Sequence, residues 1–224
     1  MTEGDILDEV IKNVSICYDN EQRNLAKIAI SAPTEGVIRD AAGKLVENVL
    51  QNIINTINAC VPNYKIVSKV GSTDYLSKSI NYKGSLYSMN TIQVDRHVFS
   101  NGKRIAFIEN KTYLDSCYYD RALADFRKII ESLSQHGHKI SDLDFVVFAG
   151  QNAASENTLK MYEADFWNFT RHYTDGVGIE PKTFFFLKGK RSSGHPLYKE
   201  KHPLNEENIK DLARMLLNDA KMCS

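Results

Sequence analysis

What the chain does without narrows its class before any motif is considered. It has no excess of charge, with 28 basic and 28 acidic residues among 224, so the broad positive surface usual in nucleic-acid binders is missing from the global count. No apolar run approaches the ~20 residues that a membrane span needs, and no membrane partner is expected. The opening residues MTEGDILDEVIKN are acidic and amphipathic, which does not read as a signal peptide. The four cysteines, Cys17, Cys60, Cys117 and Cys223, contain no CxxC pair. That spacing argues against a disulfide framework and against a thiolate zinc site, and a reducing cytoplasm suits it best. No histidine stands at a meaningful spacing from Cys117 to make it a thiol nucleophile. Repeats, low-complexity tracts and an obvious linker are missing too.

What remains is an ordinary globular composition, 42% apolar and 25% charged, at a length that suits one domain over residues 1–224. Charge is unevenly spread. Lys182, Lys188, Lys190, Arg191, Lys199 and Lys201 face Glu200 alone between Pro181 and Pro203, with His195, His202, Ser192 and Ser193 among them. Such runs are commonly solvated loops, but this one holds the residue types that bind phosphate.

Periodicity supplies the elements. Residues 3–14 and 20–30 read as helices, and Val37, Ala41, Leu45, Val49, Ile53 and Ile57 mark a long helix over 35–60. Strands are predicted at 64–70, 86–99 and 103–113, the last two joined through Ser-Asn-Gly. A helix at 118–135 precedes the apolar run LDFVVFAG at 143–150, a strand covered on both faces. A helix at 155–170, a strand at 182–188 and a helix at 205–221 follow. This alternation predicts an α/β fold with a mixed central sheet flanked by helices.

The chemistry gathers in IAFIENKTYL, where alternation puts Ile105, Phe107, Glu109 and Lys111 on one face and Ala106, Ile108 and Asn110 on the other. A carboxylate and an ammonium at the end of an apolar strand are expensive to bury without a partner or a task. ExK alone is a weak signal, since Glu180-Pro-Lys182 and Asp219-Ala-Lys221 also occur. The neighbouring TIQVDRHVF distinguishes the first. A three-residue loop Ser100-Asn101-Gly102 would pair Asp95 with Phe107 and Gln93 with Glu109, on the shared face, with Gly102 left-handed. A two-residue turn would put Asp95 opposite Ile108, on the wrong face. The three-residue loop is therefore predicted. Asp95 and Glu109 can then hold Mg²⁺ through hard oxygens, and Lys111 can contact an attacking water or a phosphate oxygen. Glu47 borders the buried stripe of its helix as a possible further carboxylate. Asp74 ranks below Asp95 because no register brings it to Glu109.

Asp95, followed fourteen residues on by Glu109-Asn-Lys111 across a hairpin, resembles the PD-(D/E)xK nuclease superfamily, and within it the type II restriction endonucleases. The predicted order over about 35–150 is that superfamily's αβββαβ core. Val94 stands where the motif's name has proline. The resemblance implies a bacterial, cytoplasmic, Mg²⁺-dependent endonuclease on double-stranded DNA, acting as a homodimer on a palindromic site. It assigns Asp95 and Glu109 as metal ligands, Lys111 as the catalytic lysine and Glu47 as the helix glutamate. Residues 151–224 are then left for recognition and dimerisation. Lys188, Lys190, Arg191, Ser192, Ser193, His195, Lys199 and Lys201 are candidate groove or phosphate contacts, and Gln151 and Asn152 carry amides of the kind that pair with adenine. The C-terminal helix, with Leu212, Met215 and Leu216, and the helix near 155–170 are plausible interface elements. Elsewhere the plainer readings are preferred: a helix cap and turn at His136-Gly-His138, and core packing for Phe166, Trp167 and Phe169. A structure-selective repair or junction nuclease, or a non-catalytic DNA-binding module, would account for the same residues.

Overall fold

A computed structural model describes residues 1–31, 34–191 and 200–223. Helix α1 (Glu3–Ser31) is continuous, where two helices were expected. Its buried stripe, Val10, Val14, Tyr18, Gln22 and Leu25, runs at fourfold and threefold spacing straight through the weak helix formers Asp19 and Asn20. Tertiary packing along that stripe outweighs local propensity. Helix α2 (Glu35–Cys60) spans the predicted range.

Strand β1 (Val67–Val70) follows, and then comes the main departure. Residues 86–99 are not one strand. β2 (Leu76–Tyr82) and β3 (Ser85–Ile92) pair with each other in a separate two-stranded ribbon, and β4 (Arg96–Ser100) begins only after Asp95. β5 (Lys103–Leu114), α3 (Ser116–Gln135), β6 (Asp144–Asn152), α4 (Glu156–Thr170), β7 (Lys182–Phe185) and α5 (Glu206–Met222) complete the chain. Asp115 caps α3 by accepting from Tyr118 N at 2.8 Å, and Ser155 caps α4 by accepting from Thr158 N.

The central sheet is mixed, in the order β1-β4-β5-β6-β7. β1, β4 and β5 are antiparallel neighbours, while β5, β6 and β7 run parallel. Helices cover both faces. Ala106, Ile108, Val146 and Phe148 pack towards α1, α2 and α5, and Phe107, Phe145, Val147 and Ala149 towards α3 and α4. Each large apolar side chain removed from water there contributes about 1.5–3 kcal/mol. Leu212, Met215 and Leu216 belong to the first of these clusters. They are therefore buried within the chain and not displayed as an interface.

Beneath α5 lies a second acidic pair. Asp219 faces Asp144, whose carboxylate accepts from Lys182 at 2.6 Å. Burial, and then the Asp144 charge, push the Asp219 carboxyl up to about 7, and Lys182 only partly opposes this. The folded chain therefore holds a proton that the unfolded one releases near 3.8, and stability falls as pH rises through 7. Asp219→Asn is expected to raise the melting temperature at pH 8 by about 2–4 °C, discounted for partial exposure, with the gain gone by pH 4. Thermal melts at the two pH values check it.

Candidate active site at the end of the fourth strand

The geometry begins at the β4–β5 turn, which is not the three-residue loop expected. Ser100 pairs with Lys103, leaving Asn101 (φ 49) and Gly102 (φ 81) as a two-residue turn with both central residues at positive φ, as a type I′ turn requires. Ser100 is drawn into the ladder because its Oγ donates to Tyr64 O at 2.7 Å, while Asn101 N donates to the same carbonyl at 3.1 Å. A bulge then restores the parity. Phe99 pairs with Arg104 but Val98 with Ala106, so Ile105 has no partner on β4. Ile105 turns into the cluster against α1 and α2, away from the face shared by Phe107 and Glu109. Past the bulge Arg96 lies opposite Ile108, so the next position, Asp95, comes level with Glu109. Asn110 N donates to Asp95 Oδ2 at 2.7 Å, which ties that carboxylate to β5.

Because β4 begins only after Asp95, the space beyond that residue opens as a cavity of about 650 Å³ lined from both sides of the sheet. Asp95, Glu109, Lys111 and Gln93 line it, with Glu47 from α2 and Arg121, Asp125 and Lys128 from α3. Glu109 is 5% exposed and accepts from Lys111 Nζ at 2.5 Å. Burial pushes its carboxyl up to about 7, Asp95 adds to the rise, Lys111 opposes it, and Asp125 contributes a smaller upward push. Glu47 accepts from Arg96 at 3.2 Å and remains 43% exposed at the rim. Among the described residues no three His, Cys, Asp or Glu side chains form a metal cage. Two carboxylates still match Mg²⁺, which keeps several waters and takes one or two protein carboxylates. A buried glutamate crowded by an aspartate, with one lysine for relief, is the donor set that such a cation would stabilise.

Gly71 holds this arrangement from below. Its N–H donates to Asp95 O at 3.1 Å, and a Cβ built there would lie 1.7 Å from Val94 O. No spacing in the sequence marks this glycine, since the approach joins residues more than twenty apart. Of the α3 charges, Arg121 stands out in sequence as a candidate phosphate contact one turn into the helix after the motif, while Asp125 and Lys128, along the edge of the buried Leu123–Phe126–Ile130 stripe, are indistinguishable from a solvated face.

The remaining candidates are dispersed. Arg191 lies over the Tyr113 ring at 3.9 Å, and Tyr113 shares the Glu109–Lys111 face of β5 by alternation. Gln151 is buried and donates to Lys188 O at 3.2 Å, while Asn152 Oδ1 accepts from Ala154 N at 2.8 Å in a turn. Lys188 and Lys190 are exposed. Lys201 pairs with Asp19 at 2.7 Å. Ser192, Ser193, His195 and Lys199 lie outside the described residues. Asp74 is engaged elsewhere, with His97 Nδ1 at 2.8 Å and Arg104 at 2.6 Å. Burial acts to raise the Asp74 carboxyl, but these two partners hold it below the usual range. Neither rival ExK-like segment competes for the cavity, for Lys182 pairs with Asp144 and Lys221 lies near Glu3. His136 caps α3, with Gly137 left-handed behind it. Phe166 is core, while Trp167 and Phe169 are half-buried.

No protein-family profile matches the chain. No curated protein sequence matches it either. Among solved structures the chain is similar to one described as the native BbvCI A2B2 tetramer at low resolution, with 11% identity over 95% of this chain and 92% of that one and a TM-score of 0.36. A likeness of that strength carries no argument about fold or function.

Proposed function

We propose that the chain is a Mg²⁺-dependent endonuclease of the PD-(D/E)xK kind that hydrolyses double-stranded DNA at a specific sequence, as type II restriction enzymes do. The single observation that carries this reading is the bulged β4–β5 hairpin, which brings Asp95 level with Glu109 and Lys111 on the floor of an open cavity. Setting aside the β2–β3 ribbon, the order α2, β1, β4, β5, α3, β6 supports the αβββαβ core.

Asp95 and Glu109 would hold the metal, which supplies charge neutralisation at the scissile phosphate and an acidified water. Lys111 Nζ would donate to the water-derived hydroxide or to a non-bridging phosphate oxygen, whose negative charge grows as the water oxygen bonds to phosphorus and the bridging bond breaks. The water passes its proton to solvent, and the departing oxygen takes a proton from solvent. Arg121 and Lys128 add cationic groups to the cavity wall, where a phosphate backbone would run. Arg191, Lys188 and Lys190 lie towards the C-terminal end of the sheet and are proposed as further DNA contacts. A homodimer on a palindrome, in a bacterial cytoplasm, completes the reading.

The test is incubation of the purified protein with phage genomic DNA, in Mg²⁺ and in EDTA. Discrete fragments that need Mg²⁺ are expected. Smeared products would favour a structure-selective nuclease, and retarded but uncut DNA would favour a binding module.

A further inference from the structure

We infer that the β2–β3 ribbon is an arm that enters a groove of duplex DNA beside the catalytic cavity; this rests on the nuclease reading above. The thirteen residues 79–91 are all exposed, so neither face of the ribbon's outer part is covered by the protein. An isolated two-stranded ribbon is marginal in water, yet this one is well formed. Its register is continuous from Lys78↔Met89 to Tyr82↔Ser85, and it closes on Lys83 and Gly84, both at positive φ. Its root is fixed to α3. Lys78 pairs with Glu131, Ser132 Oγ donates to Ser77 O, and Gln135 exchanges hydrogen bonds with both backbone groups of Ser79. The arm is anchored at one end and free at the other.

Three observations point to DNA as its occupant. The first is charge. No carboxylate occurs between Tyr75 and Val94, and while Lys78 is balanced by Glu131 at the root, Lys83 is carried at the tip, its Nζ 5.3 Å from the Tyr82 ring centre. In a chain with equal numbers of acids and bases, a ribbon this long without an acid is complementary to a polyanion. The second is continuity. Met89, Thr91 and Gln93 carry β3 directly into the wall of the cavity that holds Asp95 and Glu109, so a duplex seated there would meet the arm. The third is the division of its faces. Opposed residues share a face, which puts Ser79, Asn81, Leu86, Ser88 and Asn90 on one side and Lys78, Ile80, Tyr82, Ser85, Tyr87 and Met89 on the other. The major groove admits a two-stranded ribbon. Hydroxyls and amides can read base edges there, while apolar side chains meet thymine methyl groups. Both faces are exposed, and a contact between copies of the chain, which would cover the Ile80, Tyr82, Tyr87 and Met89 face, is distinguished from DNA binding by sedimented mass.

The test compares the parent with Tyr82→Ser/Lys83→Ser/Tyr87→Ser by gel retardation on sheared phage genomic DNA, with Ca²⁺ in place of Mg²⁺. Sedimentation velocity and thermal melting are run in parallel. The arm predicts binding at least about tenfold weaker for the variant, since one phosphate contact and two base or sugar contacts are removed, with sedimented mass and melting temperature unchanged. Equal binding by parent and variant would overturn the assignment, as would a variant that halves its mass while retaining DNA affinity, which would make the ribbon a contact between copies. If the parent itself neither retards nor cuts DNA, the nuclease reading fails, and the arm fails with it. A parent that binds and cuts beside a variant of equal affinity sinks the arm alone.

Discussion

Glu109→Gln is expected to lower DNA cleavage at least about 10³-fold and, at pH 8 without metal, to raise the melting temperature. The two effects share one cause. Glu109 is 5% exposed and near Asp95, and burial with that neighbouring charge lifts its carboxyl from 4.5 to about 7. At pH 8 the folded chain must therefore carry a poorly solvated carboxylate that the unfolded chain carries in water. The stability associated with the raised carboxyl is fully present below pH 4.5 and lost as pH rises through 7. Glutamine keeps the shape and removes the charge, while Asp95 remains in the cavity to balance Lys111. A gain of about 2 kcal/mol would appear as a rise of roughly 4–8 °C in a chain of this length, shrinking to nothing near pH 4.

The loss of cleavage follows because a neutral amide is a poor ligand for a hard cation, and about 4 kcal/mol of lost transition-state stabilisation is a factor of ~10³. Mg²⁺ should raise the melting temperature of the parent and leave that of the variant nearly unmoved, since a ligand stabilises only the form that binds it. A residue kept for an ion pair with Lys111 would behave in the opposite way. Melting below the parent at pH 8 with cleavage intact would mean that Glu109 is structural and that the site lies elsewhere.

The grouping of Asp95, Glu109 and Lys111 was legible in the sequence because strand alternation is a local rule. Glu109 and Lys111 two residues apart must share a face, and Asp95 stands at hairpin distance across an Asn-Gly turn. The register was misread for an equally local reason. Asn101-Gly102 suits both a two-residue turn and a bulged three-residue loop, and the choice is made by Tyr64 O, which accepts from Ser100 and Asn101 from far away in the chain. The bulge at Ile105 then corrects the parity that a two-residue turn alone would break. The β2–β3 ribbon was missed because Leu86 to Phe99 reads as one extended run, and nothing local marks Gln93 to Asp95 as the break between two sheets. The unbroken α1 was missed because Asp19 and Asn20 look like a boundary when its partners in α2 are not in view. Asp125 and Lys128 were unreadable as a cavity wall, since a helix face turned towards a cleft has the same composition as one turned towards solvent.

Gly71 is the extreme case of a residue that only the assembled chain explains, and Gly71→Ala is expected to reduce cleavage about 10²-fold while also lowering stability. A Cβ at this position would fall 1.7 Å from Val94 O and 2.8 Å from Val94 C. Both are backbone atoms, so relief must come from moving the segment that carries Asp95, not from a side-chain rotation. The Gly71 N–H to Asp95 O hydrogen bond of 3.1 Å is strained by the same movement. Overpacking of this kind costs about 1–3 kcal/mol, and a displacement of about 1 Å at a reacting centre is enough for a 10²-fold loss. The loss should fall on kcat at saturating Mg²⁺, with affinity for duplex DNA in Ca²⁺ retained, because Gly71 positions Asp95 without being required to touch the substrate. Gly43→Ala is the matched control. Nothing lies within 4 Å of its added Cβ, and it sits inside α2, where alanine is favoured over glycine by about 0.8–1.0 kcal/mol. It should melt higher and cut at the parental rate. Gly71→Ala cutting at the parental rate, beside a control that behaves as described, would show that Asp95 need not be held where Gly71 holds it, and the geometry proposed for the site would have to be abandoned.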